Sequence, residues 1–186
     1  MATDPDQDIL DLLDAGNRGA AIRLLMQRHG KAVYRYVRSE LRNHPIADDV
    51  HSRVFIEADR DLSRFSRRSL LRSWLFGIAR HRVLDARKSQ QLDLSKNTSL
   101  DDIDAPVDAA PAGEMLDDAR LGQALIHCLH RLADKVREAV QLRYQGMSFE
   151  EIAEMSNEKA NTVQARVTRA LPVLRECIEK RTGGRV

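Results

Sequence analysis

The stretch from Met147 to Leu174 constrains the fold more than any other part of this 186-residue chain. Ser148 followed by Glu151 has the spacing of a capping box. The hydroxyl accepts a backbone N–H of the first helical turn, and the carboxylate accepts the N–H of Ser148. Met147 and Ile152 stand at the staple positions around that cap. A short helix therefore starts at Ser148. Asn157, a residue that tolerates the left-handed conformation of a tight turn, interrupts it. In the helix that follows, Val163, Val167, Ala170, Leu171, Leu174 and Ile178 recur by threes and fours. The opposite face carries Asn161, Gln164, Ala165, Thr168 and Arg169, with Arg166 on the flank. Two helices about a short turn make a helix-turn-helix. Amides and guanidiniums suit base edges in a DNA major groove, while hydroxyls and arginines suit phosphates. An ordinary helical hairpin with a solvated polar face has the same spacing, so the rest of the chain has to decide.

Charge narrows the choice. The formal net charge is only +2 at pH 7, but it is unevenly spread. Between Arg64 and Lys88 stand eight basic side chains and one acid, Asp85, whereas between Asp93 and Asp118 stand eight acids and one base, Lys96. Segments suited to a polyanion, joined by an acidic connector, say more than the average does. No apolar run approaches the roughly 18 residues that a membrane span requires. The acids Asp4, Asp6 and Asp8 do not suit a signal peptide. Cys128 and Cys177 make no disulfide framework, and a reducing, cytoplasmic setting fits them. Cys128 beside His127 and His130 invites a metal, but no second ligand pair stands at zinc spacing, so neither metal nor cofactor is expected.

Along the chain, Ile9, Leu12 and Leu13 give a short amphipathic helix closed by Gly16, and Asn17 is placed to cap the next. Leu24, Leu25, Val33, Val37 and Leu41 continue at helical spacing, with Tyr34 and Tyr36 nearby. Gly30 inside this run marks a bend or a close contact. The helix stops around Asn43 to Pro45, because proline disfavours a helical predecessor. Ile46, Val50, Val54, Phe55, Ala58 and Leu62 form the next stripe. Asp48 and Asp49 fall in its first turn, where the helix dipole alone accounts for them, although a basic partner would also suit. Ser63 to Ser69 is a polar loop whose aromatic, Phe65, fits either stacking on an unpaired base or plugging the adjacent core. Ser69 can cap the following helix. On it Leu71, Trp74, Leu75 and Ile78 cover one side, and Arg72, Arg80 and Arg87 line another with only Asp85 to balance them.

Gln90 to Gly113 has no sustained period and contains Pro106 and Pro111, which reads as a flexible acidic linker. Leu116, Leu121, Leu125, Leu129 and Leu132 then restart a helical pattern. Asp134 is placed to cap a helix carrying Val136, Val140 and Tyr144, which Gly146 ends. No strand pattern or internal repeat appears. The expected architecture is all-α: a helical domain over residues 8–90, the linker over 91–118, and a helix-turn-helix domain over 119–182.

Both halves together resemble a bacterial RNA polymerase sigma factor of the ECF (extracytoplasmic function) type. The first half is similar to sigma region 2 through Arg28-His29-Gly30 with Val33 and Tyr34, through Ala47-Asp48-Asp49-Val50 with Val54-Phe55, and through Ser69 to Arg80, continuing to Asp85. The second half is similar to region 4 through Leu132, Arg137-Glu138, Leu142-Arg143-Tyr144, Gly146 to Ala153, and Thr162 to Ala170. The resemblance implies a transcription initiation factor with no catalysis of its own. It implies that Asp48, Asp49, Ser52 and Arg53 meet the clamp coiled coil of the polymerase's largest subunit, with a further contact at the flap. Arg64, Phe65, Arg67, Arg68, Arg72, Arg80, His81 and Arg87 would bind and help open the −10 element. Asn161, Thr162, Gln164, Ala165, Arg166, Thr168 and Arg169 would address the −35 element. The acidic linker would run near the RNA exit path, and an anti-sigma factor is a further partner for such a protein.

The chain departs from the family pattern in four places. Ser52 and Arg53 stand where Gln and Glu are usual, and His81 stands where Asn is usual. Asn157 and Glu158 replace a Gly and an apolar residue in the turn. Pro172 falls within the second helix of the motif, where it should bend the helix while pointing outward. These differences bear on promoter preference more than on class. A LuxR-type regulator shares the Glu-Ile-Ala and Thr-Val spacing, but it would need an N-terminal sensing or receiver domain, whose strands and paired acids are absent. No HExxH, glycine-rich phosphate loop or nucleophile motif supports an enzyme.

Overall fold

Helices account for all the regular structure in the computed structural model among the described residues, 4–41, 44–96 and 115–183. The chain divides into two units, Met1–Leu100 and Asp101–Val186. The first contains α1 (Gln7–Asp14), α2 (Arg18–Glu40), α3 (His44–Asp61), a 3-10 turn (Leu62–Arg64) and α4 (Leu71–Lys96). The second contains α5 (Met115–His130), α6 (Asp134–Tyr144), α7 (Phe149–Ser156) and α8 (Ala160–Thr182).

In the N-terminal unit α2, α3 and α4 pack pairwise, and α1 lies on α2. Leu25, Val33 and Val37 from α2 meet Val54 and Ala58 from α3 and Leu71, Leu75, Phe76 and Ala79 from α4 in a fully buried core. Tyr36 and Phe76 meet edge to face with ring centroids 5.7 Å apart. Burying each large side chain contributes about 1.5–3 kcal/mol, which is what holds helices of this length in place. The amide of Asn17 caps α2, accepting the Ala20 N–H at 3.2 Å. Gly30 makes no close approach, since a Cβ there would meet nothing within 4 Å, and α2 runs through it unbroken.

Two local expectations change here. Helix α3 begins at His44, so Asp48 and Asp49 lie in its second turn, where the dipole accounts for them poorly. The cap of α4 comes from far away: the Leu71 N–H donates to Asp4 Oδ2 at 2.8 Å, a role the sequence spacing offered to Ser69. Helix α4 continues to Lys96 and α5 starts at Met115, so both cut into the expected linker. The acidic segment between them, 97–114, lies outside the described residues.

The C-terminal unit is built on α8, which packs against α5, α6 and α7. Val163, Val167, Ala170 and Leu174 form its buried stripe, but Leu171 is 54 % exposed. On α5 the core face is Ala124, Cys128 and Leu129, while the periodic Leu121 and Leu125 point outward. On α6 Ala139 and Leu142 are buried, whereas Tyr144 is 77 % exposed. Ala133, not Asp134, occupies the cap position of α6, and Asp134 pairs with Arg137 at 2.7 Å. Pro172 is exposed, and α8 continues past it to Thr182. The packing of α5 on α8 also overturns the reading of the cysteines. Cys128 and Cys177, 49 residues apart, are joined in a disulfide with their Cα atoms 5.9 Å apart. Cys128 is thereby occupied by sulfur rather than offered, with His127 and His130, to a metal.

Candidate polymerase and promoter interfaces

On α3 the apolar stripe faces the core and leaves Asp48, Asp49, Ser52 and Arg53 exposed together. Asp48 accepts the Tyr34 hydroxyl at 3.0 Å, and that bond, with some burial, raises the Tyr34 pKa above its ordinary value. Asp49 pairs with Arg53 at 2.8 Å, one turn along. The Ser52 hydroxyl turns back to the Asp48 carbonyl at 3.0 Å. The surface is therefore acidic at its N-terminal edge, and Arg53 neutralises part of it.

The basic surface of the same unit is more heavily paired than its sequence implied. Arg64 at the end of the 3-10 turn and Arg67 and Arg68 in the loop after it are exposed, and Arg67 holds φ at +57°. The Arg67 guanidinium pairs with Asp14 at the end of α1. Phe65 is half-buried and leans on Trp74, with ring centroids 5.3 Å apart, so its ring packs on the adjacent core. On α4, Arg72 and Arg80 are half-buried and His81 is exposed. Arg87 pairs with Glu40 of α2, and Arg82 pairs with Glu57 of α3 at 3.1 Å and Asp85 at 3.3 Å. Asp85 is thus not the sole counter-charge. Acids on α1, α2 and α3 share that role, and nothing in the local spacing of α4 could have disclosed them.

A separate acidic cluster at the N-terminus is one that sequence reasoning missed. Asp6, 2 % exposed, receives Arg28 Nη1 and His29 Nε2, both at 2.9 Å. Burial pushes its carboxyl up, but the hydrogen bonds from His29 and Arg28 outweigh it and hold the pKa below the ordinary value. Asp8 takes the same guanidinium at 2.6 Å. The acidic start of the chain thus braces α1 on α2, and Asp4 fixes the beginning of α4.

The helix-turn-helix has the geometry its sequence dictates. The Ser148 hydroxyl accepts the Glu151 N–H at 3.1 Å, and the Ser148 N–H donates to Glu151 Oε2 at 2.8 Å. Met147 and Ile152 are buried beneath this box. Asn157 closes α7 at φ +54°, ψ +49°. Asn161, Thr162, Gln164, Thr168 and Arg169 form an exposed strip on α8, with Ala165 half-buried at its edge. Arg166, half-buried, adjoins the strip beside Thr162 and Arg169, but its guanidinium is turned to Glu158. Its Nη1 and Nη2 donate to the two Glu158 oxygens at 2.6 and 3.1 Å. Glu158 also takes Lys135 of α6 at 3.3 Å. The Arg166 bonds are the main reason its carboxyl lies below the ordinary glutamate range.

An acidic helix edge, a basic aromatic loop and a polar strip on a helix-turn-helix match a known pair of modules. Residues 25–92 match the family model for sigma-70 region 2, and residues 122–171 match that for sigma-70 region 4. The chain is 33 % identical over 150 residues to the RNA polymerase sigma factor NccH of Alcaligenes xylosoxydans xylosoxydans, covering 78 % of this chain and 80 % of that one. It is 29 % identical over 155 residues to the sigma factor CarQ of Myxococcus xanthus, covering 83 % and 87 %. Its fold is similar to that of the sigma factor RpoE solved with the anti-sigma factor NepR from Bartonella quintana, with TM-score 0.71, 21 % identity and coverage of 84 % of this chain and 96 % of that one. CnrH, solved with the cytosolic domain of CnrY, is similar at TM-score 0.64 and 23 % identity, covering 94 % and 97 %. The chain belongs to the RNA polymerase sigma factors, and within them to the ECF class. It is a transcription initiation factor that works by binding and not an enzyme. The match of its N-terminal half to region 2 leaves no support for the LuxR-type reading.

Proposed function

We propose that the two units divide promoter recognition between them in the cytoplasm. The N-terminal unit docks on the polymerase clamp through Asp48 and Asp49, and it engages the −10 element through the 63–69 loop and the neighbouring face of α4. Arg64, Arg68 and His81 are the exposed members of that surface, Phe65, Arg72 and Arg80 are half-buried in it, and Arg67 and Arg87 are tied to Asp14 and Glu40. The C-terminal unit reads the −35 element through Asn161, Thr162, Gln164, Ala165, Thr168 and Arg169 and contacts the flap. The observation that carries this reading is the α8 strip: amide, hydroxyl and guanidinium groups stand in solvent on a helix whose back is buried by Val163, Val167 and Ala170. That is the arrangement that inserts into a major groove. An anti-sigma factor belongs to the same proposal, since one solved neighbour, RpoE, is in complex with the anti-sigma factor NepR.

Run-off transcription with purified core polymerase on fragmented genomic DNA tests it. Discrete new transcripts that need both core polymerase and this protein are expected. Gln164→Ala should lose about 1–3 kcal/mol of discrimination at one −35 base pair and leave the others alone. Transcription that is independent of the protein would sink the proposal.

A further inference from the structure

The turn of the helix-turn-helix carries a carboxylate, and that carboxylate is engaged by two cations. Glu158 sits between α7 and α8, its own N–H bonded to the Ala153 carbonyl at 2.9 Å. Both of its oxygens take the Arg166 guanidinium, at 2.6 and 3.1 Å, and one of them also takes Lys135 Nζ at 3.3 Å. The Glu158 and Arg166 side chains are 16 % and 18 % exposed, so water weakens this pair little. A bidentate guanidinium–carboxylate contact fixes direction as well as distance. The fork that could read a guanine or clasp a phosphate is aimed at the protein's own turn. Arg169, one turn further along α8, is exposed.

We propose that Glu158 is a specificity-determining positioning residue: it holds Arg166 on the turn, withholds it from −35 DNA, and so leaves base reading to Gln164 and its exposed neighbours. The inference rests on α8 being the −35 helix. An arginine set free at this place would add a phosphate or guanine contact and blur the preference that the strip imposes. By pairing Arg166, Glu158 keeps the affinity of α8 lower and its selectivity higher. Lys135, bonded to the same carboxylate from α6, steadies the acceptor.

The test uses holoenzyme reconstituted with wild type, Glu158→Gln, Arg166→Ala and the double variant. Two quantities are read: base preference across a randomised −35 element, and the slope of log affinity against log salt. Glu158→Gln is expected to steepen the slope by about 0.9, the increment for one added phosphate contact, and to relax preference at a position beside the Gln164 contact. Arg166→Ala alone is expected to leave the slope as in wild type, and the double variant to match Arg166→Ala. A slope that falls by about 0.9 in Arg166→Ala would mean that Arg166 already holds DNA, which overturns the proposal. A double variant as steep as Glu158→Gln would assign the effect to the lost negative charge itself and overturns it too. A merely structural Glu158 would lower stability with both readouts unmoved. If wild type shows no −35 preference at all, the failure belongs to the assignment of α8 and not to Glu158.

Discussion

Single acids decide much of this molecule, and Asp6 is the clearest case. Its carboxylate is buried against Arg28 and His29, so removing the charge strands two donors in a place with little water. Asp6→Asn is expected to cost about 2 kcal/mol, short of the roughly 3–5 kcal/mol of a fully buried pair, because Arg28 is partly exposed and keeps Asp8. The chain has one tryptophan, Trp74, so urea unfolding followed by its fluorescence reports the N-terminal unit. The pH dependence has a definite sign. The folded carboxyl lies below its ordinary value near 3.8, so near pH 4 the unfolded chain binds more protons than the folded one. The stabilisation is complete above the unfolded value and disappears as pH falls through the lower folded value. The gap between wild type and Asp6→Asn should therefore narrow below about pH 4; a constant gap from neutral to acid pH contradicts the assignment. Asp49 makes the opposite kind of prediction. Its pair with Arg53 is exposed and contributes little to stability. Asp49→Lys should leave melting nearly unchanged yet weaken core polymerase binding at least about tenfold, because a like charge would face a basic partner. Full retention of core polymerase by the folded variant in a pull-down would remove α3 from the docking surface.

Elements were legible in this sequence to the extent that their causes are local. The capping box, the Asn157 turn and the Asn17 cap are specified within four residues and appear in the structure as their spacing requires. Ser148→Ala should thus cost about 1 kcal/mol, seen as a lower thermal midpoint of the C-terminal unit with the Trp74 signal unmoved. Facial assignments were harder to read. Leucines recur on α5 at Leu121 and Leu125, but α8 packs against the Ala124–Cys128 side, and small residues allow that close approach. Cap and counter-charge partners were out of reach of any local rule: Asp4 serves Leu71 from 67 residues away, and Glu40 serves Arg87 from 47. The Cys128–Cys177 bond is hidden for the same reason, since only the packing of α5 on α8 brings the two together. Closing a loop with a sequence separation of 49 restricts the unfolded chain by up to about 4 kcal/mol in the chain-entropy model. Adding reductant, or making Cys177→Ser, should lower the melting point of the C-terminal unit alone. An equal loss in the Trp74 signal, or no loss in either, would show that the cross-link does not stabilise that unit.

For the whole molecule the governing feature is the segregation of charge along the chain. The segment Arg64–Lys88 carries eight bases and one acid, and Asp93–Asp118 carries eight acids and one base, so near-neutrality overall conceals two opposed fields. Many bases of the first segment already meet acids of their own unit: Arg67 has Asp14, Arg82 has Glu57, and Arg87 has Glu40. Those pairs lower the long-range pull on DNA, leaving a smaller positive surface for the acidic segment to offset. Tethered to both units, its carboxylates stay at high effective concentration and compete with phosphates wherever they come within a Debye length of about 8–10 Å. The free protein is therefore expected to bind promoter duplex poorly, and core polymerase to relieve the competition by engaging the acidic segment itself. Changing Asp101, Asp102, Asp104 and Asp108 together to Asn should raise the affinity of the free protein for duplex DNA. The gain should be largest at low salt and fade as ionic strength rises, because screening removes the competition in both proteins. Fluorescence anisotropy across a salt series reads both trends. Should the neutralised variant match wild type at the lowest salt, or should free wild type bind promoter DNA as tightly as holoenzyme does, the acidic segment acts as a tether alone.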